Sequence, residues 1–116
     1  MDKKTVKEHV YDALGFDVII NNAPFVKICG EWILDVDLSA LQRAVLIHLA
    51  WKSEPLTGSE VTFIRKYSKK TKVEFGKIFG VKHSGVINWE KHKQNPSAMN
   101  PATEMYIRFF ILNMLY

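Results

Sequence analysis

Two glycines spaced four residues apart, Gly76 and Gly80, most constrain how this chain can fold. Thr71 precedes them and Glu74 follows it by three residues, which is the reciprocal capping pattern of a helix start. Apolar residues at helical spacing then predict a helix over residues 72–79. Gly80 predicts the end of this helix, because glycine adopts a left-handed backbone with little strain.

A second helix is predicted directly after this turn, over about residues 83–91. Val86 and Trp89 would face inward on this helix, and the Val81 side chain would pack into the core from the turn. Gly76 supplies the small residue that two closely approaching helices need. The pattern predicts a helix-turn-helix, a common DNA-binding unit, although an ordinary helical hairpin has the same spacing.

The charge of the chain is divided unequally along its length. Residues 65–93 hold 9 basic side chains against Glu74 and Glu90, a net charge of +7. Residues 1–56 hold 6 basic and 8 acidic side chains, a net charge of −2. Positive charge around a helix-turn-helix favours an anionic partner such as DNA.

The first half has weaker patterns. Val6, Val10 and Leu14 predict a short helix that ends at Gly15. Apolar runs over residues 16–20, 25–29 and 32–36 predict two or three short strands, with a turn at residues 21–24. A helix capped by Asp37 or Ser39 should then continue to about residue 51. The polar stretch 52–58 predicts a boundary, which gives a small α+β partner-binding region over residues 1–55 and a DNA-binding and dimerisation domain over residues 56–116.

The helix-turn-helix segment, residues 71–81 followed by Ser84, Val86, Asn88, Trp89 and Glu90, resembles the Xre, lambda-repressor type. The upstream run LTGSEVTFIRK at residues 56–66 is similar to the MqsA/YgiT-type antitoxins. Residues 15–24 and the triplet at 29–31 look like the end of the small N-terminal domain of that family. This resemblance implies a mainly α fold, in which a five-helix-type, lambda-repressor-like domain follows a small α+β region.

The resemblance also implies a function and one departure from the family. It implies a repressor that binds its own operator as the antitoxin of a type II pair, with the first half neutralising a ribonuclease toxin. A stand-alone Xre-family regulator without a toxin is the alternative. Family members commonly hold zinc with two CxxC pairs, but Val26 stands at one cysteine position and Cys29 is the only cysteine. We therefore expect neither a metal nor any other cofactor.

The second helix of such a unit lies in the major groove of DNA. Asn88 would then pair with an adenine edge and Ile87 would meet a thymine methyl group, unless the helix is rotated so that Ile87 joins the core. Flanking lysines would contact phosphates, although each taken singly is equally typical of a solvated surface. The predicted DNA-binding residues are Lys70, Lys72, Lys82, His83, Ser84, Gly85, Ile87, Asn88, Lys91 and Lys93.

The last segment predicts a helix over residues 102–115, with Asn100 as its cap and Pro101 at its first position. Its apolar residues surround nearly the whole helix, which favours a homodimer, although the helix could instead complete the core. The predicted dimerisation residues are Met105, Ile107, Phe109, Phe110, Leu112 and Met114.

Other classes of protein are disfavoured by the sequence. We find no paired carboxylates, nucleophile–base set or phosphate-cradling loop that would indicate an enzyme. The four histidines lack metal-ligand spacing, and Cys29 is expected to be a buried structural thiol. No apolar run is long enough for a membrane span and no secretory signal is evident, so we expect a cytoplasmic protein.

Overall fold

The computed structural model describes residues 2–116 of the chain. Three strands come first, β1 (Lys3–Tyr11), β2 (Val18–Ile28) and β3 (Glu31–Leu34). Five helices follow, α1 (Leu38–Trp51), α2 (Gly58–Tyr67), α3 (Lys72–Ile78), α4 (His83–Glu90) and α5 (Pro101–Leu115). The chain divides into two compact units, residues 1–43 and residues 44–116.

The strands form one antiparallel sheet in the order β1-β2-β3. Ile28 pairs with Glu31, so only two residues connect β2 to β3. These two, Cys29 and Gly30, have φ angles of 51° and 82°, as a tight hairpin turn with two left-handed residues requires. Cys29 is exposed at this turn, so the expectation of a buried thiol is wrong.

The expectation of a mainly α chain is also wrong, because strands of 9, 11 and 4 residues precede the helices. The fold is mixed α+β. The predicted first helix is the strand β1, in which Val6 pairs with Ala23 and Val10 with Ile19. Apolar residues four positions apart share a face in a helix and also in a strand, so their spacing did not discriminate between the two.

The predicted turn at residues 21–24 is part of β2 instead. Ala23 is fully buried there, and the carbonyl of Pro24 accepts a hydrogen bond from the Asp35 N–H at 2.8 Å. The β1–β2 register is the same on both sides of Asn22, whose φ of 53° places it in the left-handed region. Asparagine tolerates this conformation better than most residues, so the strand continues through it.

The helix predicted to end near residue 51 and the helices predicted over residues 72–79, 83–91 and 102–115 are confirmed in type and position. The Asp37 carboxylate accepts hydrogen bonds from the Ser39 and Ala40 N–H groups and caps α1. Thr57 and Glu60 form a capping box at the start of α2. Asn100 caps α5, where Pro101 occupies the first turn. Local capping chemistry therefore sets where these helices begin.

The core of residues 44–116 draws on all five helices. Each side chain in it contributes about 1.5–3 kcal/mol by leaving water. The apolar residues with 0 or 1% exposure in this unit are Leu46, Leu49, Leu56, Val61, Ile64, Phe75, Val86, Ile107 and Ile111.

The two charged side chains of α5 bind backbone groups of residues 49–56, at the end of α1 and in the segment that follows it. The Arg108 guanidinium donates hydrogen bonds to the carbonyls of Leu49, Lys52 and Glu54 at 2.6–2.9 Å. Glu104 accepts a hydrogen bond from the Leu56 N–H at 2.5 Å. Within residues 2–116, no helix is both long enough and apolar enough to cross a membrane.

Candidate nucleic-acid interface

The helix α3 begins at a complete capping box. The Thr71 hydroxyl accepts a hydrogen bond from the Glu74 N–H at 3.1 Å, and the Glu74 carboxylate accepts one from the Thr71 N–H at 2.9 Å. The Thr71 backbone N–H, and then its hydroxyl, hold the pKa of the Glu74 carboxyl below its usual value of 4.5. The predicted start of this helix is therefore confirmed.

The turn after α3 depends on its two glycines, as predicted. Gly80 has a φ of 70°, and the Val81 N–H returns to donate a hydrogen bond to the carbonyl of Gly76 at 2.9 Å. A Cβ atom on Gly76 would lie only 2.6 Å from the Val81 carbonyl oxygen. Gly76 therefore lets the turn and the start of α4 approach the α3 backbone closely.

The helix α4 has one buried face and one exposed face. Val86 and Trp89 point inward with exposures of 0% and 6%, as predicted. Ile87 is 40% exposed, so the helix has the expected phase and Ile87 does not join the core. The other predicted contact residues on or next to α4 are exposed, except for the half-buried Gly85; they are Lys82, His83, Ser84 and Asn88.

The start of α4 differs from the starts of the other helices in its unit. α2 and α3 have capping boxes and α5 has its Asn100 cap, but no side chain caps α4 at Lys82. Backbone N–H groups in an uncapped first turn remain available to an acceptor and face a partial positive potential. This end of the exposed face is therefore suited to a negatively charged group.

An ion pair that the sequence reasoning missed supports the other end of α4. Arg65 on α2 donates hydrogen bonds from Nε to Glu90 Oε2 at 2.6 Å and from Nη2 to Oε1 at 3.1 Å. Its Nη1 also donates to the carbonyl of Lys70 at 3.1 Å. Arg65 and Glu90 are 25 positions apart, so no local pattern could pair them.

Because Arg65 and Glu90 neutralise each other, the net charge of +7 on residues 65–93 comes from the eight lysines of this segment less Glu74. Within the part of the chain that the structure describes, no lysine between residues 66 and 93 has a carboxylate oxygen within 4.0 Å. Of the lysines predicted to contact phosphates, Lys91 and Lys93 are exposed and Lys70 and Lys72 are half-buried.

The helix α5 presents an apolar surface together with a buried face. Ile107 is fully buried among its own unit, so it offers no surface to a second copy. Phe110 packs edge-on against Phe75 and Phe79 of the α3 segment, with ring centroids 6.1 and 5.6 Å apart. The remaining predicted dimerisation residues are Met105 and Phe109, which are 56% and 57% exposed, and the half-buried Leu112 and Met114.

No cluster of three or more histidine, cysteine, aspartate or glutamate side chains within residues 2–116 is placed to hold a metal ion. No protein-family model, curated protein or solved structure matches the chain. The resemblance to the MqsA/YgiT-type antitoxins therefore stays a prediction.

Proposed function

We propose that this chain is a sequence-specific repressor that binds double-stranded DNA through α4. The observation that carries the proposal is the division of α4, which buries Val86 and Trp89 and leaves Ile87 and Asn88 exposed. An α-helix with one exposed face fits the major groove, where base edges carry a distinct pattern for every base pair.

Some of the exposed residues would contact bases and others would contact phosphates. Asn88 reads an adenine edge through two hydrogen bonds, and Ile87 contacts a thymine methyl group. The uncapped first turn at Lys82 and His83 meets a phosphate. Lys70, Lys72, Lys91 and Lys93 neutralise phosphates on either side, which fixes the register of the helix but reads no sequence.

Selection of binding sites from a pool of random duplexes tests this function. We expect enrichment of one sequence, bound about 10³-fold or more tightly than its scrambled version at physiological salt. Enrichment of no sequence, or equal affinities for the two duplexes, would contradict the proposal. Fluorescence anisotropy with labelled duplexes gives both affinities.

A homodimer is part of the same proposal. Glu104 and Arg108 are both engaged with residues 49–56, so the exposed side of α5 around Met105, Tyr106 and Phe109 is apolar. A two-fold dimer would present two α4 helices to half-sites about one turn of DNA apart.

The finer proposal is that the chain is the antitoxin of a type II toxin–antitoxin pair in the cytoplasm. The residues at 56–90 that resemble the MqsA/YgiT type support it, and the net charge of −2 on residues 1–56 suits a basic ribonuclease. Co-expression with the product of the adjacent gene tests it: restored growth supports an antitoxin. Unchanged growth, with DNA binding intact, favours a stand-alone regulator.

A further inference from the structure

Four lysines lie in the two loops that follow α2 and α4. Lys69 and Lys70 follow α2, and Lys91 and Lys93 follow α4. The Lys93 carbonyl accepts a hydrogen bond from the Ser59 N–H near the start of α2, whereas Lys69 and Lys70 lie just beyond the end of that helix. The Arg65 guanidinium joins these loops, because it donates hydrogen bonds both to the carbonyl of Lys70 and to the carboxylate of Glu90. We refer to the four residues as the lysine patch.

Among the residues that the structure describes, none of the four lysines of the patch forms an ion pair, although Glu74 is near enough to Lys70 for their charges to attract each other. Glu90 is the acidic residue nearest in sequence to Lys91, but both of its oxygens accept hydrogen bonds from Arg65. In the described range 2–116, none of the four ammonium groups is within 4.0 Å of a carboxylate oxygen. Lys69, Lys91 and Lys93 are exposed and Lys70 is half-buried, so the patch is open to an anion.

Two members of the patch occupy backbone positions that suit glycine better than lysine. Lys69 has a φ of 59° and Lys93 a φ of 51°, and each lies just beyond the end of a helix. The left-handed conformation that commonly closes a helix is unfavourable for a residue with a Cβ atom. The chain therefore carries these two charges at a cost in stability, a pattern that often marks a functional position.

We propose that the lysine patch clamps DNA phosphates beside the C-terminal end of α4, with Lys69 and Lys93 as direct phosphate contacts. This inference rests on the proposed function and adds Lys69 to the interface. The eight residues of α4 span about 12 Å, so its uncapped start and the patch would hold different phosphates. A helix fixed at both ends keeps its side chains in register with the base pairs.

Glycine substitutions separate the phosphate contact from a structural role, because the two roles predict opposite changes. In Lys69→Gly and Lys93→Gly, the strain is relieved and the charge is lost. We expect each to raise the midpoint of thermal unfolding by about 3–6 °C. Each should also weaken binding of a random-sequence duplex by about 3–10-fold and flatten the plot of log affinity against log salt by about 0.9.

Two controls accompany these variants. Lys69→Arg keeps the charge, so the wild-type salt dependence should remain. Lys7→Gln removes one exposed charge from β1, outside the patch, so it should leave the salt dependence unchanged.

The outcomes distinguish this inference from the proposed function. If the wild type binds duplex DNA and both glycine variants keep its salt dependence, the clamp is wrong and the DNA-binding proposal stands. If the unfolding midpoint does not rise, lysine carries no conformational cost at these two positions, and the clamp is contradicted. If the wild type binds no duplex at low salt, both proposals fail.

Discussion

The Arg65 guanidinium donates to both carboxylate oxygens of Glu90 in a nearly buried ion pair. The Nε–Oε2 and Nη2–Oε1 distances are 2.6 and 3.1 Å, and the side chains are 12% and 9% exposed. Because α2 carries Arg65 and α4 ends at Glu90, the pair fixes one end of the candidate reading helix to the rest of its unit. Its geometry is the two-pronged arrangement that suits arginine and a carboxylate best.

Removing one partner of this pair should cost more than removing both. Glu90→Leu leaves the Arg65 charge without its acceptor in a nearly buried site, and we expect the free energy of unfolding to fall by about 2–4 kcal/mol. Urea denaturation measures the change. The double variant Arg65→Met/Glu90→Leu should be more stable than Glu90→Leu, because no unpaired charge remains. A double variant less stable than either single one would contradict this account.

The close approach at Gly76 predicts a difference between two glycines of the same helix-turn-helix. Gly76→Ala places a Cβ atom 2.6 Å from the Val81 carbonyl oxygen, so we expect a loss of about 1–3 kcal/mol in unfolding free energy. Gly85→Ala is the matched control. Its Cβ atom would lie 3.5 Å from the Val81 Cβ, an ordinary contact, and alanine should gain about 0.5–1 kcal/mol within α4. Equal effects at the two positions would show that the approach at Gly76 is not tight.

The Glu74 carboxylate predicts a pH dependence of stability. The Thr71 N–H and hydroxyl lower its folded-state pKa below 4.5, so its charged form stabilises the fold. This contribution is complete above the unfolded-state value and is lost as the pH falls through the lower folded-state value. We therefore expect Glu74→Gln to lower the thermal midpoint at pH 6 and to differ less from wild type near pH 3. A difference that stays constant from pH 6 to pH 3 would exclude this role of the charge.

The apolar surface of α5 predicts that one charge should disrupt self-association. Phe109 is 57% exposed, so Phe109→Asp should leave the fold intact but convert a dimer to a monomer. Light scattering at tens of micromolar measures the mass. Asn113→Asp is the control, because this exposed position is already polar. A wild-type protein that is monomeric under these conditions would remove the homodimer from the proposal.

Elements with local chemical signals were predictable from the sequence. Thr71 with Glu74 fixed the start of α3, and Gly80 fixed its end, because caps and left-handed turns depend on a few neighbouring residues. The inward positions of Val86 and Trp89 then set the exposed face of α4. A short stretch of sequence is therefore enough to predict the helical part of the candidate interface.

The errors lie where distant residues decide the structure. Val6 and Val10 fit a helix or a strand equally well, and pairing with β2 selects the strand. The ion pair between Arg65 and Glu90 depends on how α2 and α4 pack, and no spacing in the sequence predicts it. The left-handed backbone at Lys69 and Lys93 was likewise not evident from the sequence, because neither residue is a glycine.

The central claim is that α4 reads sequence, and the Asn88→Ala variant tests it most directly. Anisotropy titrations compare its affinities for the selected duplex and for the scrambled duplex with those of the wild type. We expect a loss of about 1–3 kcal/mol on the selected duplex and almost none on the scrambled one. Lys72→Ala, a proposed phosphate contact, should weaken both to a similar extent. An equal loss on both duplexes for Asn88→Ala would contradict the claim.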